Sequence, residues 1–231
     1  MKIKFDSVMA LVFSSYEVKI EEYQNIEIIN RNVRNLLHKG NMEHGKIMRS
    51  QKIENVLSRI NFKYKNEQVH MERVGEYCSL IGKAMNLSTV EVENIRQAGK
   101  IHDIGKIVIS PELLNKKESL TDDEFELIKK HSEIGYHILK STDEYAGLAE
   151  IVRYHHERFD GNGYPDRLRA DGIPLESRIV ALADSYEAMT SNRSYQKSKS
   201  KKEALLEIKR CSGTQFDPKI VEVFLKLIKE E

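Results

Sequence analysis

The chain has 231 residues, with 37 Lys and Arg against 36 Asp and Glu, for a formal net charge of +1. That balance excludes a protein that coats DNA or RNA polymers through many excess basic side chains. A charged fraction of 32% beside 40% hydrophobic residues excludes a disordered or fibrous chain.

Residues 1–60 stand apart from residues 61–231. They are helical by composition, Asn-rich at Asn25, Asn30, Asn32 and Asn35, and contain no glycine or proline before Gly40. The expectation is a helical lead-in, a homodimerisation segment or the remnant of a sensory module. Its apolar run, Val8 to Phe13, is far too short to span a bilayer and has no cleavage signal after it. Beyond it, apolar residues recur at helical spacing: Val74, Tyr77, Cys78 and Ile81, then Val92, Ile95, Ala98 and Ile101. Thr121-Asp122-Asp123-Glu124 reads as a capping box that opens a helix carrying His131. Leu148, Ile151, Val152 and His155 make another stripe. Asp160 to Pro174 is the long loop, rich in Gly, Asp and Pro. Asp217 and Pro218 read as an N-cap and first position before Ile220, Val221, Phe224, Leu225 and Ile228. No alternating strand pattern persists, so the predicted fold is all-α. Cys78 and Cys211 form neither a C-x-x-C pair nor a disulfide framework, which points to a reducing cytoplasm.

The chemistry lies in histidines and aspartates at the ends of separate predicted helices. His102-Asp103 pairs an imidazole with a carboxylate able to bridge. His70 precedes it; His131, His155-His156 and Asp184 follow. Five imidazoles and two carboxylates are too many for one tetrahedral zinc. They suit two metals sharing a carboxylate, with positions left for water and substrate. A buried cluster lacking partners would cost about 1–3 kcal/mol for each orphaned group.

His102-Asp103-Ile104-Gly105-Lys106, His155-His156-Glu157, Asp160-Gly161-Asn162-Gly163-Tyr164-Pro165, Ala183-Asp184-Ser185-Tyr186 and Arg193-Ser194-Tyr195 together resemble the HD-GYP family within the HD phosphohydrolases. The resemblance runs from about His70 to Phe224 in the family's order. It implies an HD-type helical bundle and a cytoplasmic, metal-dependent phosphodiesterase cleaving cyclic di-GMP to pGpG, sometimes onward to GMP, through a metal-activated bridging hydroxide. It implies that His102, Asp103 and Asp184 hold one metal with His70 nearby, and that His131, His155 and His156 hold a second. Asp103 would bridge them, the ions being iron or manganese. Lys106 would place a cation beside the phosphate from the face of a continuing helix. Gly163, Tyr164 and Pro165 would shape the substrate loop, Tyr164 presenting its ring to a guanine or its hydroxyl to a ligand or phosphate, or else packing to hold the loop, and Arg193 would grip phosphate.

Some positions depart from the family pattern. Asn66 stands where some members carry a glutamate for a third metal, which argues for two ions. Glu187 replaces a common aspartate, and Gln196 stands where Arg or Lys is frequent. His38, His44 and His137 are set aside as non-ligands, and Lys197, Lys199, Lys201 and Lys202 as a solvated helix start. An HD phosphohydrolase for another cyclic dinucleotide or nucleotide, and a catalytically weak cyclic-dinucleotide-binding signalling module, remain the alternatives.

Overall fold

The computed structural model describes residues 67–116, 118–191 and 198–228. Residues 1–60, with the proposed lead-in and dimer contact, lie outside them, as do Asn66, Arg193, Gln196 and Lys197. Among the described residues there is no strand, only an isolated bridge between Ser212 and Phe216.

Helices α1 (Glu67–Ala84) and α2 (Thr89–Ile101) form the central pair. On α1 the spacing buries Met71, Val74, Cys78 and Ile81; on α2 it buries Val92, Ile95, Ala98 and Ile101. Each large aliphatic chain so buried stabilises the fold by about 1.5–3 kcal/mol, and cutting one to Ala would cost about 2–5 kcal/mol. Ser88 starts α2 with a full capping box: its hydroxyl accepts the Glu91 N–H while the Glu91 carboxylate accepts the Ser88 N–H at 2.8 Å.

After α2 come a 3₁₀ segment, Ile104–Val108, and the short helix α3 (Pro111–Leu114). Next are α4 (Asp122–Lys129), α5 (His131–Lys140) and α6 (Ala149–Arg153). The 3₁₀ segment packs on α5, and α5 on α6. Helix α7 (Leu175–Thr190) lies across α1 and buries Ile179, Val180, Leu182 and Ala183. Helices α8 (Lys201–Arg210) and α9 (Pro218–Leu227) close the bundle. The Tyr186 ring packs edge-on against Tyr77 at 5.1 Å and Phe224 at 5.0 Å, joining α7 to α1 and α9. No helix among the described residues is long and apolar enough to cross a membrane.

Three local expectations are corrected. The Thr121 capping box forms, but its helix stops at Lys129, and His131 opens α5 instead. The Ser132 hydroxyl takes the Lys129 carbonyl at 3.1 Å and the His131 ring takes that of Ile128 at 2.8 Å, so side chains replace the hydrogen bonds a continuing helix would need. The stripe from Leu148 to His155 is likewise not one helix. Ala146–Leu148 is 3₁₀, α6 ends at Arg153, and His155 lies in the turn beyond. Finally, α2 does not continue to Lys106. The chain tightens to 3₁₀, with the Lys106 N–H donating to Asp103 O at 2.9 Å.

Candidate metal centre

The histidines are aimed by helix ends. Burial forces each ring to use its nitrogens, and the unused carbonyls of a helix's last turn lie within reach. His102 Nδ1 donates to Gly99 O at 2.7 Å, His131 Nδ1 to Ile128 O at 2.8 Å, and His155 Nδ1 to Val152 O at 2.6 Å. Each bond selects the tautomer that leaves Nε2 unprotonated and pointing inward.

The inward atoms meet. His131 Nε2 lies 3.2 Å from His156 Nε2 and 3.4 Å from His155 Nε2. Asp103 Oδ1 is 3.3 Å from His131 Nε2, and Asp103 Oδ2 is 3.3 Å from His102 Nε2. Asp184 Oδ1 faces His70 Nε2 at 3.3 Å and His102 Nε2 at 3.7 Å. Within each of two groups, Asp103-His131-His155-His156 and His70-His102-Asp184, all donor atoms lie within 4.8 Å of one another. By distance Asp103 thus groups with the three histidines, and His70 takes its place beside His102 and Asp184.

Backbone contact holds the two groups together. A Cβ on Gly105 would sit 1.9 Å from His131 O, so only glycine lets the chain after Asp103 press onto the start of α5. Gly163 does the same for the loop: a Cβ there would lie 2.3 Å from the Arg158 N. The loop thereby returns to the cluster, with the Tyr164 ring 4.8 Å from that of His156 and tilted 30°. The following Pro165 is joined by a cis bond.

Electrostatics separates the two groups: burial would lower His102, but the Asp103 and Asp184 carboxylates outweigh it and raise it, as His70 is raised, while the other three imidazoles are lowered. Burial, aided by neighbouring imidazoles, holds His155 well below the usual histidine range and brings His156 down to about 3. Burial also lowers His131. These rings are neutral, as metal ligands must be. Burial would lower His70 too, but hydrogen bonds to Asp184 and Glu187 outweigh it and raise His70 to about 10. Burial opposes ionisation of Asp103, yet Lys106 and His102 keep its carboxyl well below the ordinary range. Lys106 Nζ stands 2.5 Å from Asp103 Oδ2. His102 Nε2 is buried without a well-formed hydrogen bond, between the Asp103 and Asp184 oxygens at 3.3 and 3.7 Å, a set of donors that a cation could share. The set of imidazoles and carboxylates therefore fits divalent transition metals.

Two contributors escaped the reading of the sequence. Glu187 appeared there only as a departure from the family pattern. It is buried, and its carboxylate takes the His70 Nδ1 proton on one oxygen and the Ser191 hydroxyl on the other. Its spacing of three from Asp184 puts both on one face of α7, a signal that was available. Glu157 is also buried and accepts the Asp166 N–H at 2.7 Å, pinning the loop after Tyr164-Pro165. His137 lies on α5 and belongs to neither donor group.

Residues 54–220 match the model of the HD domain. The chain belongs to the HD domain family, as an HD-GYP protein. This HD domain is 47% identical over 163 residues to a cyclic di-GMP phosphodiesterase of Thermotoga maritima, covering 70% of the chain and 44% of that relative. It is 34% identical over 176 residues to 3′3′-cGAMP-specific phosphodiesterase 2 of Vibrio cholerae, covering 75% of the chain and 34% of the relative. The chain thus spans less than half the length of these curated relatives. The solved HDG"Y"P protein Bd1817 of Bdellovibrio bacteriovorus shares the fold, with TM-score 0.59 and 16% identity, over 91% of this chain and 66% of its own.

Proposed function

We propose that this HD domain is a metal-dependent phosphodiesterase that hydrolyses a cyclic dinucleotide, cyclic di-GMP foremost, at a 3′-phosphoester to linear pGpG. One observation carries the reading: the two oxygens of Asp103 face the two donor groups, each 3.3 Å from a histidine Nε2. His70, His102 and Asp184 would hold one divalent cation, and His131, His155 and His156 the other, with Asp103 shared. Iron and manganese suit such mixed nitrogen and oxygen donors. The cations would supply a water of lowered pKa and positive charge against the phosphate.

The chain's own side chains do the remainder. Asp103 stays ionised beside Lys106 and keeps both donor groups in register. Lys106, 2.5 Å from that carboxylate, orients it and adds positive charge where the phosphoryl oxygens gather. Tyr164 offers a ring face to a guanine, on a loop held by Gly163 and Pro165. Arg193, proposed to grip phosphate, lies outside the described residues. Buried free thiols at Cys78 and Cys211 support a cytoplasmic setting. The net charge of +1 gives no basis for binding a DNA or RNA polymer.

The test is direct. Protein loaded with Fe(II) or Mn(II) is incubated with cyclic di-GMP, and products are separated by chromatography. Linear pGpG is expected from the unaltered protein and none from Asp103→Ala. Binding without turnover under either metal would reject the enzyme in favour of a signalling module. The cGAMP-specific Vibrio relative favours one second reading, the same chemistry on 3′3′-cGAMP. Relative kcat/KM for the two substrates decides between them.

A further inference from the structure

Helix α4 ends at Lys129, and only Lys130 separates it from His131, whose ring also holds the Ile128 carbonyl at 2.8 Å, so its last turn is tied closely to the metal centre. Phe125 and Lys129 stand four apart on that helix and therefore share a face. Lys129 Nζ lies over the Phe125 ring at 4.6 Å and over the Tyr164 ring at 5.5 Å. Tyr164 in turn packs on His156, 4.8 Å away. A continuous path of aromatic faces and one ammonium thus leads from a metal-donor imidazole to the surface of α4. Phe125, its outer member, is 46% exposed. A lone exposed Phe carries no meaning; one aligned with a cation and a second ring beside a reaction centre does.

A cyclic dinucleotide has two phosphates and two bases. A metal centre can engage only the phosphate being cleaved, and Lys106 is drawn to Asp103 at 2.5 Å. The remaining phosphate and the far base need partners outside the cluster. Resting on the phosphodiesterase reading above, we infer that Lys129 receives the non-scissile phosphate and Phe125 stacks on the distal purine. The α4 face is then a substrate-specificity element of the centre. Glu126 opposes this: its carboxylate holds Lys129 Nζ at 2.5 Å. That pair lies at the surface, with Glu126 65% exposed, so exchanging the carboxylate for a phosphate costs little. An aromatic face over a purine and a lysine near a phosphate are the recurring means of holding nucleotides without reading them through the backbone.

The experiment uses the full metal-loaded chain and compares Phe125→Ala, Lys129→Ala and Glu126→Gln. The first two should each raise KM for cyclic di-GMP about 5- to 10-fold, the size of losing one stacking or charge contact. The loss should fall on KM rather than kcat, and inhibition by inorganic phosphate, which probes the metal centre alone, should not move. Glu126→Gln should lower KM by about twofold, because it releases Lys129 from its carboxylate; a purely structural Lys129 would show no such gain. Unchanged KM in both Phe125→Ala and Lys129→Ala, with an active parent, overturns this inference and leaves the phosphodiesterase standing. An unaltered protein that turns over neither cyclic di-GMP nor 3′3′-cGAMP overturns both.

Discussion

Asp217 and Asp103 are both buried carboxylates beside a cationic side chain, yet their surroundings close differently. Asp217 Oδ2 takes Arg178 at 2.5 Å while its Oδ1 caps α9 through the Lys219 N–H at 2.8 Å. Arg178 then reaches Asp171 at 3.0 Å, leaving its Nε as the unpartnered atom. Charge and hydrogen bonding there are balanced by the chain itself. Around Asp103, by contrast, neutral imidazole nitrogens face one another at 3.2 and 3.4 Å, and His102 Nε2 lies between two carboxylate oxygens without a well-formed hydrogen bond to either. In the first cluster both carboxylate oxygens are answered by the chain; in the second, several imidazole nitrogens and carboxylate oxygens converge on one point, where a cation would join them. A buried polar cluster thus declares its purpose by the convergence of its donor atoms, since a single unpartnered atom occurs in both.

That contrast can be broken experimentally. Asp103→Ala carries the largest expected effect: turnover of cyclic di-GMP should fall about 10³-fold or more, with metal content dropping by elemental analysis while the helical circular dichroism persists. Asp217→Ala should do the reverse, leaving metal content intact and lowering folding stability in urea by about 3 kcal/mol, since a nearly buried Arg178 loses its buried partner and keeps only the exposed Asp171. Saturation with Mn(II) at about 100 times its Kd should add ~2.7 kcal/mol of stability. The increment should survive in Asp217→Ala, vanish in Asp103→Ala and reverse with EDTA; its appearance in Asp103→Ala would undo the distinction. Glu187→Gln, which weakens the hold on His70 without emptying its place, should reduce metal affinity about 10- to 100-fold, read by competition with a chelating dye. The smallest effect is a control remote from both clusters. Ser88→Ala removes the α2 cap and should cost about 1 kcal/mol of stability with metal binding unmoved.

Much of this was legible in the residues. The buried stripes of α1 and α2, the Thr121 capping box and the Asp217-Pro218 start follow from periodicity and local hydrogen bonding, which the chain states outright. The histidines and aspartates that converge were nameable because their types are rare and their motifs dense. What was not legible lies where side chains compete with the backbone. Nothing in the apolar spacing announces that His131 and Ser132 capture the carbonyls that would have extended α4. The role of Glu187 needed α7 laid across α1, a packing fact no local window contains. The exposure of Phe125 on α4 depends on what the rest of the bundle leaves uncovered.

His102, His131 and His155 each stand one or two residues past the end of a helix, and each is anchored to a carbonyl three residues back. Fraying ends, ordinarily the loosest part of a helix, here serve as the mounts of the centre. The centre should therefore be more sensitive to insertions than to substitutions in its supporting helices. Adding one residue between a helix end and its histidine would swing the ring by about 100° around the axis and point its free nitrogen away from the others. Changing a neighbouring side chain would leave that angle alone. Apart from the close approach at Gly105, the spacing between helix end and ligand is what aims each ring.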